Sequence, residues 1–376
     1  MRDFLMASDS VTEGHPDKLC DQISDAVVDA WLASGARHGV AAECALASGV
    51  FFLAIRAGGT AAVDPSAVAR RVIAQCGYPS DSLTVVLEMF EDENLAAENI
   101  SGQPSRHMTT AFGYACDHTG RNMPAPLAAA QSITMMLDAG RRDGALNWLS
   151  PDAHAQVAVR FEDRRPVAVS GVALTVGTED AFAQGTVEAA LREAAVEPAL
   201  ADLGLVLEPQ ARVGVVVHSG RSGPASHSGL TGRKTAEDTY GAFVRHSGSA
   251  LSGKDPSRID RVANYAARHA ARCVTAAGLA RECEVQLTYS AGATGPTDVQ
   301  LDTYGSGTVP DVEIAGRLRD RLLLDLRSIQ DRFALWDLPE QHGGSFYERL
   351  ATYGHMGRPD LSAPWEEVGD TDWLTD

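Results

Sequence analysis

The stretch Gly14-His15-Pro16-Asp17-Lys18 lies close to the N-terminus and opens directly onto a helical pattern. Pro16 suits the first turn of a helix, because its missing N–H would be unpaired there in any case. Beyond the stretch, apolar residues recur every four positions, as on the buried face of an amphipathic helix: Leu19, Ile23 and Val27. A helix N-terminus attracts anions, and the neighbouring Lys and His strengthen that attraction. The stretch therefore predicts either a phosphate site, in which Asp17 holds a divalent cation, or an ordinary helix cap.

Composition and charge narrow the class of protein. The chain has 376 residues, which is too long for one typical core and predicts two or three subdomains. Lys and Arg number 32 against 50 Asp and Glu, a net charge of −18 that disfavours a broad nucleic-acid surface. No apolar run approaches the roughly 20 residues that span a bilayer, and the first residues do not resemble a signal peptide. We expect a cytoplasmic protein that binds neither nucleic acid nor membrane.

Strands and helices alternate in the same order three times along the chain. In the first unit, for example, strands are predicted at 40–45, 50–56 and 83–89, with a helix at 65–76. We predict an α/β (α+β) fold of three pseudo-symmetric subdomains, each a small mixed sheet with helices on one face. The predicted segments are an N-terminal subdomain, a loop or lid, central and C-terminal subdomains and an acidic tail, at 1–95, 91–106, 108–224, 225–365 and 366–376.

Two further clusters combine glycines with cations. One is Gly229-Leu230-Thr231-Gly232-Arg233-Lys234, and the other is the segment 252–261, which leads into a helix. Together with the first stretch they predict a polyphosphate site with a divalent metal. Asp17 and Asp260 would hold the metal, and the phosphates would meet Lys18, Arg233, Lys234, Lys254 and Arg258. A tight turn and a solvated helix start are the alternatives, and neither cluster is a Walker motif.

Many ordered motifs resemble the S-adenosylmethionine synthetases (methionine adenosyltransferases). The segment 8–18 looks like the opening of that family, and the later matches follow in the same order over nearly the whole chain: 123–126, 229–234, 238–241, 252–257, 265–268 and 353–358.

The resemblance implies a reaction and a set of roles. Methionine sulfur would attack the ribose 5′ carbon of ATP and expel triphosphate, which is then hydrolysed. His15 would assist the leaving oxygen, Asp17 and Asp260 would bind Mg²⁺, and Glu43 would bind K⁺. The triphosphate would be held by Lys18, Arg233, Lys234 and Lys254. The active sites would lie between two subunits of a homodimer or of a dimer of dimers.

The sequence departs from the family where methionine and the nucleoside would bind. The Gly-Ala-Gly-Asp-Gln-Gly signature is absent, and His107 stands where its Asp would meet the methionine ammonium. Arg56 aligns with a second carboxylate of that pocket, and His154 replaces a Lys. His227 replaces an Asp that contacts the ribose. A cation and an imidazole in place of two carboxylates suit an anionic acceptor better than an ammonium group.

Several functions therefore remain open at the level of sequence. The chain could be an ordinary synthetase with tolerated substitutions, or a diverged enzyme with a different acceptor, a different nucleotide or both. A triphosphate hydrolase without an acceptor and a catalytically weak regulatory subunit are further alternatives. Retention of His15, Asp17 and the phosphate-binding cations favours an active enzyme.

Overall fold

The computed structural model describes residues 3–79, 83–93, 95, 105, 107–178, 182–220 and 222–375. Its strands are β1 (Phe4–Val11), β2 (Val40–Ala47), β3 (Val50–Ala57), β4 (Thr84–Glu91), β5 (Thr109–Cys116), β6 (Leu149–Glu162), β7 (Arg165–Thr178), β8 (Leu207–Ser219), β9 (Gly229–Leu230), β10 (Glu282–Tyr289) and β11 (Asp298–Asp302). The predicted loop or lid at 91–106 lies largely outside the described residues.

The helices begin at Pro16, in the stretch quoted first, and continue to the end of the chain. They are α1 (Pro16–Ala33), α2 (Pro65–Gln75), α3 (Ala125–Asp143), α4 (Gln184–Leu191), α5 (Glu197–Asp202), α6 (Thr235–Asp238), α7 (Ile259–Ala276), α8 (Asp311–Arg321), α9 (Leu326–Arg332), α10 (Leu338–Gln341), α11 (Tyr347–Tyr353) and α12 (Asp372–Thr375). A π-helical turn, Arg192–Val196, joins α4 to α5. None of the helices in the described part of the chain is both long and apolar enough to cross a bilayer.

Three small sheets form the framework, in the strand orders β4-β3-β2-β9, β1-β6-β7-β8 and β11-β10-β5. The first two sheets are mixed, since each contains one parallel pair, β3 with β4 and β7 with β8. The third is antiparallel. A long helix packs on each sheet: α1 against β2, α3 against β1 and β6, and α7 against β5 and β10. The predicted fold class of small sheets covered by helices is confirmed.

Each sheet takes a strand from another segment of the chain. β1 joins the sheet of the central segment, β5 joins the sheet of the C-terminal segment, and β9 joins the N-terminal sheet. The three units are therefore interlocked through backbone hydrogen bonds. A cut at the predicted boundaries, which give the segments 1–95, 108–224 and 225–365, would separate paired strands. The division into these segments stays a prediction.

Helix α1 is buried on its polar side as well as its apolar side. Leu19, Ile23 and Val27 face the core, as the four-residue period predicts. The opposite side is covered because its carboxylates bind segments that come from the other end of the chain. This helix is therefore the element on which the candidate site is assembled.

Candidate active site

Four aspartates on α1 hold three other segments of the chain. Asp17, Asp21, Asp25 and Asp29 are spaced by four residues and are at most 2% exposed. Residues four apart lie on one face of a helix, so the carboxylates form a row along it. A buried carboxylate is stable only where donors surround it, and each of these four is supplied with backbone N–H groups, cations or both.

The first two aspartates fix the turn at 229–234. The Asp17 carboxylate accepts the Leu230 N–H at 3.1 Å, and that of Asp21 accepts the Gly232 N–H at 2.7 Å. Gly229 lies so close to α1 that an added Cβ would be 2.2 Å from the carbonyl oxygen of Pro16. Gly229 therefore allows close backbone approach to the helix start.

The turn delivers two cations to the Asp17 carboxylate. Lys234 Nζ lies 2.6 Å from Asp17 Oδ2, and Arg233 Nε lies 3.5 Å from Oδ1. Arg233 is half exposed and Asp17 is buried. The two predicted phosphate ligands and the predicted metal ligand are thus brought together at the N-terminus of α1.

His15 caps the same helix end and is held as a neutral imidazole. Its Nδ1 accepts the backbone N–H of Asp17 at 3.2 Å. Burial, and then the charge of Lys234, lower the pKa of His15 to about 3. Because Nδ1 is an acceptor, the ring proton of the neutral form lies on Nε2. His15 can therefore donate a hydrogen bond to an oxygen placed beside it at neutral pH.

Lys18 takes a position that the sequence did not predict. Its side chain is fully buried, with Nζ in contact with Asp238 and 3.3 Å from Asp21. These carboxylates raise the pKa of Lys18 against the opposing effect of burial, which keeps the ammonium charged. Its role as a phosphate ligand stays a prediction. The enclosed position of the ammonium group argues against that role. Lys18 instead joins the start of α1 to α6.

The second cation cluster surrounds Asp260 on α7. Lys254 Nζ contacts one oxygen of Asp260, and Arg258 Nε is 3.8 Å from the other. Asp25 positions this cluster, because it accepts the Gly253 N–H at 2.8 Å and pairs with Arg261 at 2.7 Å. Asp25 thus fixes the segment 252–261 against α1, as Asp17 and Asp21 fix the turn at 229–234.

A cavity of about 240 Å³ opens beside this second cluster. Arg56, Glu43, Lys254 and Arg258 line it. Arg56 lies opposite Ala41 in the β2–β3 ladder, and Ala41 forms a bridge with Lys254. The structure therefore joins Arg56 to the predicted triphosphate ligands and to the predicted potassium ligand.

The three predicted acceptor residues occupy separate places in one chain. His154 Nε2 lies 3.4 Å from Asp9 on β1, on the His15 side of the site. His107 precedes β5, where its carbonyl accepts the Ser105 hydroxyl at 2.8 Å. Arg56 lies in the cavity with Glu43. A shared acceptor pocket formed by these three residues stays a prediction.

His227 is exposed and lies near Asp152. Burial raises the pKa of Asp152, and His227, His154 and His218 oppose that effect. Asp152 also accepts the Gly223 N–H at 2.8 Å. The predicted nucleoside ligand therefore shares its surroundings with His154 rather than with the cavity around Arg56.

Oxygen donors for a divalent cation are present at two positions. No group of three His, Cys, Asp or Glu side chains suited to a metal occurs among the residues that the structure describes. Asp260 Oδ1 is nevertheless buried and has no hydrogen-bond partner there, which leaves it free to bind a cation. Mg²⁺ commonly uses one or two carboxylates and completes its shell with phosphate oxygens and water. The donor chemistry of Asp17 and Asp260 therefore fits a metal that arrives with a polyphosphate.

Sequence reasoning missed the residues that position the site. Asp21, Asp25, Asp29 and Asp238 were not singled out, nor was Arg261, which is fully buried against Asp25. The four-residue repeat of Asp along α1 was a readable signal, because a carboxylate row on a largely apolar helix requires partners. The identity of those partners was not readable, since they come from segments more than 200 residues away.

Models of three protein domains match successive parts of the chain. The S-adenosylmethionine synthetase N-terminal domain matches residues 3–96, the central domain matches 103–219, and the C-terminal domain matches 221–367.

Named relatives match over almost the full length of both chains. The S-adenosylmethionine synthase of Trichormus variabilis is 38% identical, with 99% of this chain and 96% of the relative covered. That of Prochlorococcus marinus is also 38% identical, with 98% and 96% covered. That of Nostoc punctiforme is 37% identical, with 99% and 96% covered. The chain belongs to the S-adenosylmethionine synthetase family.

Proposed function

We propose that this protein is a methionine adenosyltransferase that forms S-adenosylmethionine from ATP and methionine. The observation that carries the proposal is the meeting of His15, Asp17, Arg233 and Lys234 at the start of α1 in a member of this family. Methionine sulfur would form a bond to the 5′ carbon while the bond from that carbon to oxygen breaks. The triphosphate would leave with the electron pair and then be hydrolysed to diphosphate and phosphate.

The chain's own residues supply charge and a hydrogen bond to the leaving group. Neutral His15 would donate its Nε2 proton in a hydrogen bond to the departing 5′ oxygen. Arg233 and Lys234 would exchange their contacts with Asp17 for contacts with phosphate oxygens. Preorganised charges of this kind contribute most where negative charge develops in the transition state.

The proposed cations are Mg²⁺ and K⁺. Asp17 and Asp260 would hold Mg²⁺, which supplies positive charge to the leaving triphosphate. Lys254 and Arg258 would meet the same triphosphate beside Asp260. Glu43 would hold K⁺ in the cavity with Arg56. We also propose a cytoplasmic location.

The proposed assembly is a homodimer, or a dimer of such dimers, with active sites at the interface. An apolar row crosses the outer face of the N-terminal sheet, where Val86, Phe52, Ala45 and Leu230 lie opposite one another. Phe52, Val86 and Leu230 are each 44–48% exposed. A continuous exposed apolar surface is typical of an interface. Because Arg56 and Glu43 lie on the same face, a second copy of the chain would close the cavity.

A second candidate is transfer to an anionic acceptor. The names of the relatives favour methionine, whereas the cavity that joins Arg56 to Lys254 and Arg258 favours a carboxylate or similar group. An ammonium group beside Arg56 would meet like-charge repulsion.

Product analysis tests whether methionine is the acceptor. The purified protein would be incubated with Mg²⁺, K⁺ and each of the four nucleoside triphosphates, with and without methionine, and the products identified by mass. We expect S-adenosylmethionine from ATP and methionine. Phosphate release without an alkylated product would instead indicate a triphosphate hydrolase. A folded protein that is inactive under every condition would indicate a binding role, and the proposal of an enzyme would be wrong.

A further inference from the structure

A second cationic cavity lies away from the α1 site, between the loop before α3, helix α7 and the C-terminal segment. Its volume is about 480 Å³, and Arg121, Arg272, Arg358 and Glu366 are among the residues that line it. None of these residues has a role in the proposed reaction.

Arg121 is the residue whose surroundings require an explanation. Its side chain is only 18% exposed, yet its nearest carboxylate, Asp202, is 4.0 Å away and 67% exposed. No hydrogen bond joins the Arg121 guanidinium to another residue in the ranges that the structure describes. The guanidinium nitrogens of Arg121 are not among the buried polar atoms that lack a partner, so they open onto the cavity and their N–H groups are available to a ligand there.

The surrounding charges do not supply an acceptor for these N–H groups. Glu366 is committed to Arg268, which it meets with both oxygens at 2.9 and 2.7 Å, and it also lies 3.4 Å from Arg272. Asp360 pairs with Arg358 at 2.7 Å but is half exposed. Glu367, also on the cavity wall, is exposed.

Burial is the main cause that lowers the pKa of both Arg121 and Arg272. Burial lowers the pKa of Arg121, Asp202 and Asp360 oppose that effect, and Arg358 contributes the smallest lowering. Burial and the charge of Arg268 lower the pKa of Arg272, against the opposing effect of Glu366. The cavity lining therefore carries three guanidinium groups against the two carboxylates of Glu366 and Glu367, which favours an anion.

The loop that carries Arg121 is held rigidly. Arg268 donates to the backbone carbonyls of Tyr114, Arg121 and Asn122, at 2.5–3.1 Å. Arg272 contacts the Asn122 side chain, and Asn122 takes a left-handed backbone conformation with φ of 53°. Arg272 also donates to the Glu366 carbonyl at 3.1 Å, whereas the ordered loop presents the Arg121 guanidinium to the cavity without a large ordering cost.

We propose that this cavity is a binding site for an oxyanion of the phosphate class, with diphosphate bridging Arg121 and Arg272. Guanidinium groups match the geometry of phosphate oxygens through paired N–H donors. No aromatic side chain lines the cavity within the described residues, so free diphosphate fits better than a nucleotide whose base would need a stacking surface. The site is separate from the α1 site and does not depend on the proposed reaction.

Calorimetric titration with diphosphate tests the proposal. The active site is first disabled by Arg233→Ala, Lys234→Ala and Lys254→Ala, which weaken both of its cation clusters, so that binding there does not mask the second site. In this background we expect one diphosphate per chain to bind. Adding Arg121→Gln should weaken that binding at least tenfold. Arg121→Lys keeps the charge but loses the paired N–H donors of the guanidinium, so it should weaken binding less. Arg192→Gln is the matched control, because Arg192 is an exposed arginine with a single partner, Glu197.

Melting temperatures show whether a loss of diphosphate binding comes from unfolding of the variant. Diphosphate should raise the melting temperature of the background protein and of the Arg192→Gln control, and it should leave that of Arg121→Gln unchanged. Arg121→Gln itself should melt close to its parent without diphosphate, since the only ion pair that it removes within the described ranges is the 4.0 Å contact with the exposed Asp202. Absence of diphosphate binding in the background protein, or equal binding after Arg121→Gln, would overturn the proposal.

Discussion

At the scale of single residues, His15 combines two properties that determine how it can act. It caps α1 through Nδ1, and burial beside Lys234 keeps it neutral. Sequence placed His15 at a helix start but left its protonation state undecided. That state depends on Lys234, which lies 219 positions later in the numbering.

We predict a stability signature for His15 that depends on pH. Its folded pKa, about 3, lies below the 6.5 of an unfolded histidine, so the folded state favours the neutral ring. The stabilisation is present above pH 6.5 and is lost as the pH falls toward 3. Relative to His15→Gln, the protein should lose about 1 kcal/mol between pH 7 and pH 5.5. Urea unfolding of both proteins at the two pH values measures this difference; an unchanged difference would contradict a neutral, buried His15.

Removing the imidazole should also separate binding from chemistry. His15→Ala should lower kcat by at least about a hundredfold, as loss of one donor to a developing oxyanion does in other enzymes, while ATP binding persists. Single-turnover kinetics and calorimetry measure the two effects. Undiminished turnover would remove His15 from the chemistry.

Arg56 and His107 decide between the two candidate acceptors. Arg56→Glu combined with His107→Asp restores two carboxylates, which should favour an ammonium group and lower the KM for methionine. The single variant Arg56→Gln is the control, since it removes the cation without adding an anion and should have a smaller effect. No change in methionine use after the double substitution would contradict the placement of the acceptor beside these residues.

At the scale of elements, α1 organises the site through its row of aspartates. The fourth of them, Asp29, accepts the N–H groups of Phe346, Tyr347 and Glu348 at 2.9–3.0 Å, at the start of α11. The apolar period of α1 was readable from sequence, and the helix is found where it was predicted. Strands β1 and β5 were not predicted, because their partners lie in other segments and nothing local distinguishes them from loops.

The capping role of Asp29 is testable by comparison with an exposed cap. Asp29→Ala leaves three N–H groups of a buried helix start without an acceptor and should cost about 2–3 kcal/mol in the free energy of unfolding. Asp64 caps α2 in the same way but with two N–H groups at an exposed position, so Asp64→Ala should cost about 1 kcal/mol. Denaturant midpoints measure both. Equal losses of unfolding free energy in the two variants would show that the burial of Asp29 adds nothing to the stability that its cap provides.

At the scale of the whole molecule, exchange of strands joins three segments into one body. β1, β5 and β9 each pair with strands of a segment distant in sequence. The exchange brings His15, Arg233 and Lys234 to one end of α1, while Arg56, Lys254 and Asp260 lie on another side. We propose a symmetric assembly because the first set of residues in one subunit and the second set in its partner would together form one active site.

The apolar row on the N-terminal sheet should govern that assembly. Phe52→Glu places a charge in the middle of the row and should convert the oligomer to monomers with loss of activity. Val312→Glu, at an 80% exposed position of α8, is the control and should change neither property. Light scattering and activity assays measure the outcomes. An active Phe52→Glu monomer would contradict an active site shared between subunits.

The sequence by itself determined the class of fold, the helix that opens at Pro16 and the family to which the chain belongs. These follow from local periodicity and from ordered motifs, which the chain carries regardless of how it is folded. Only the tertiary structure decided that Lys18 is enclosed by Asp21 and Asp238, that His15 is neutral, and that Arg56 lies with Glu43 and Lys254. Each of these depends on charges and donors from distant segments, because burial and electrostatic partners are properties of the folded chain.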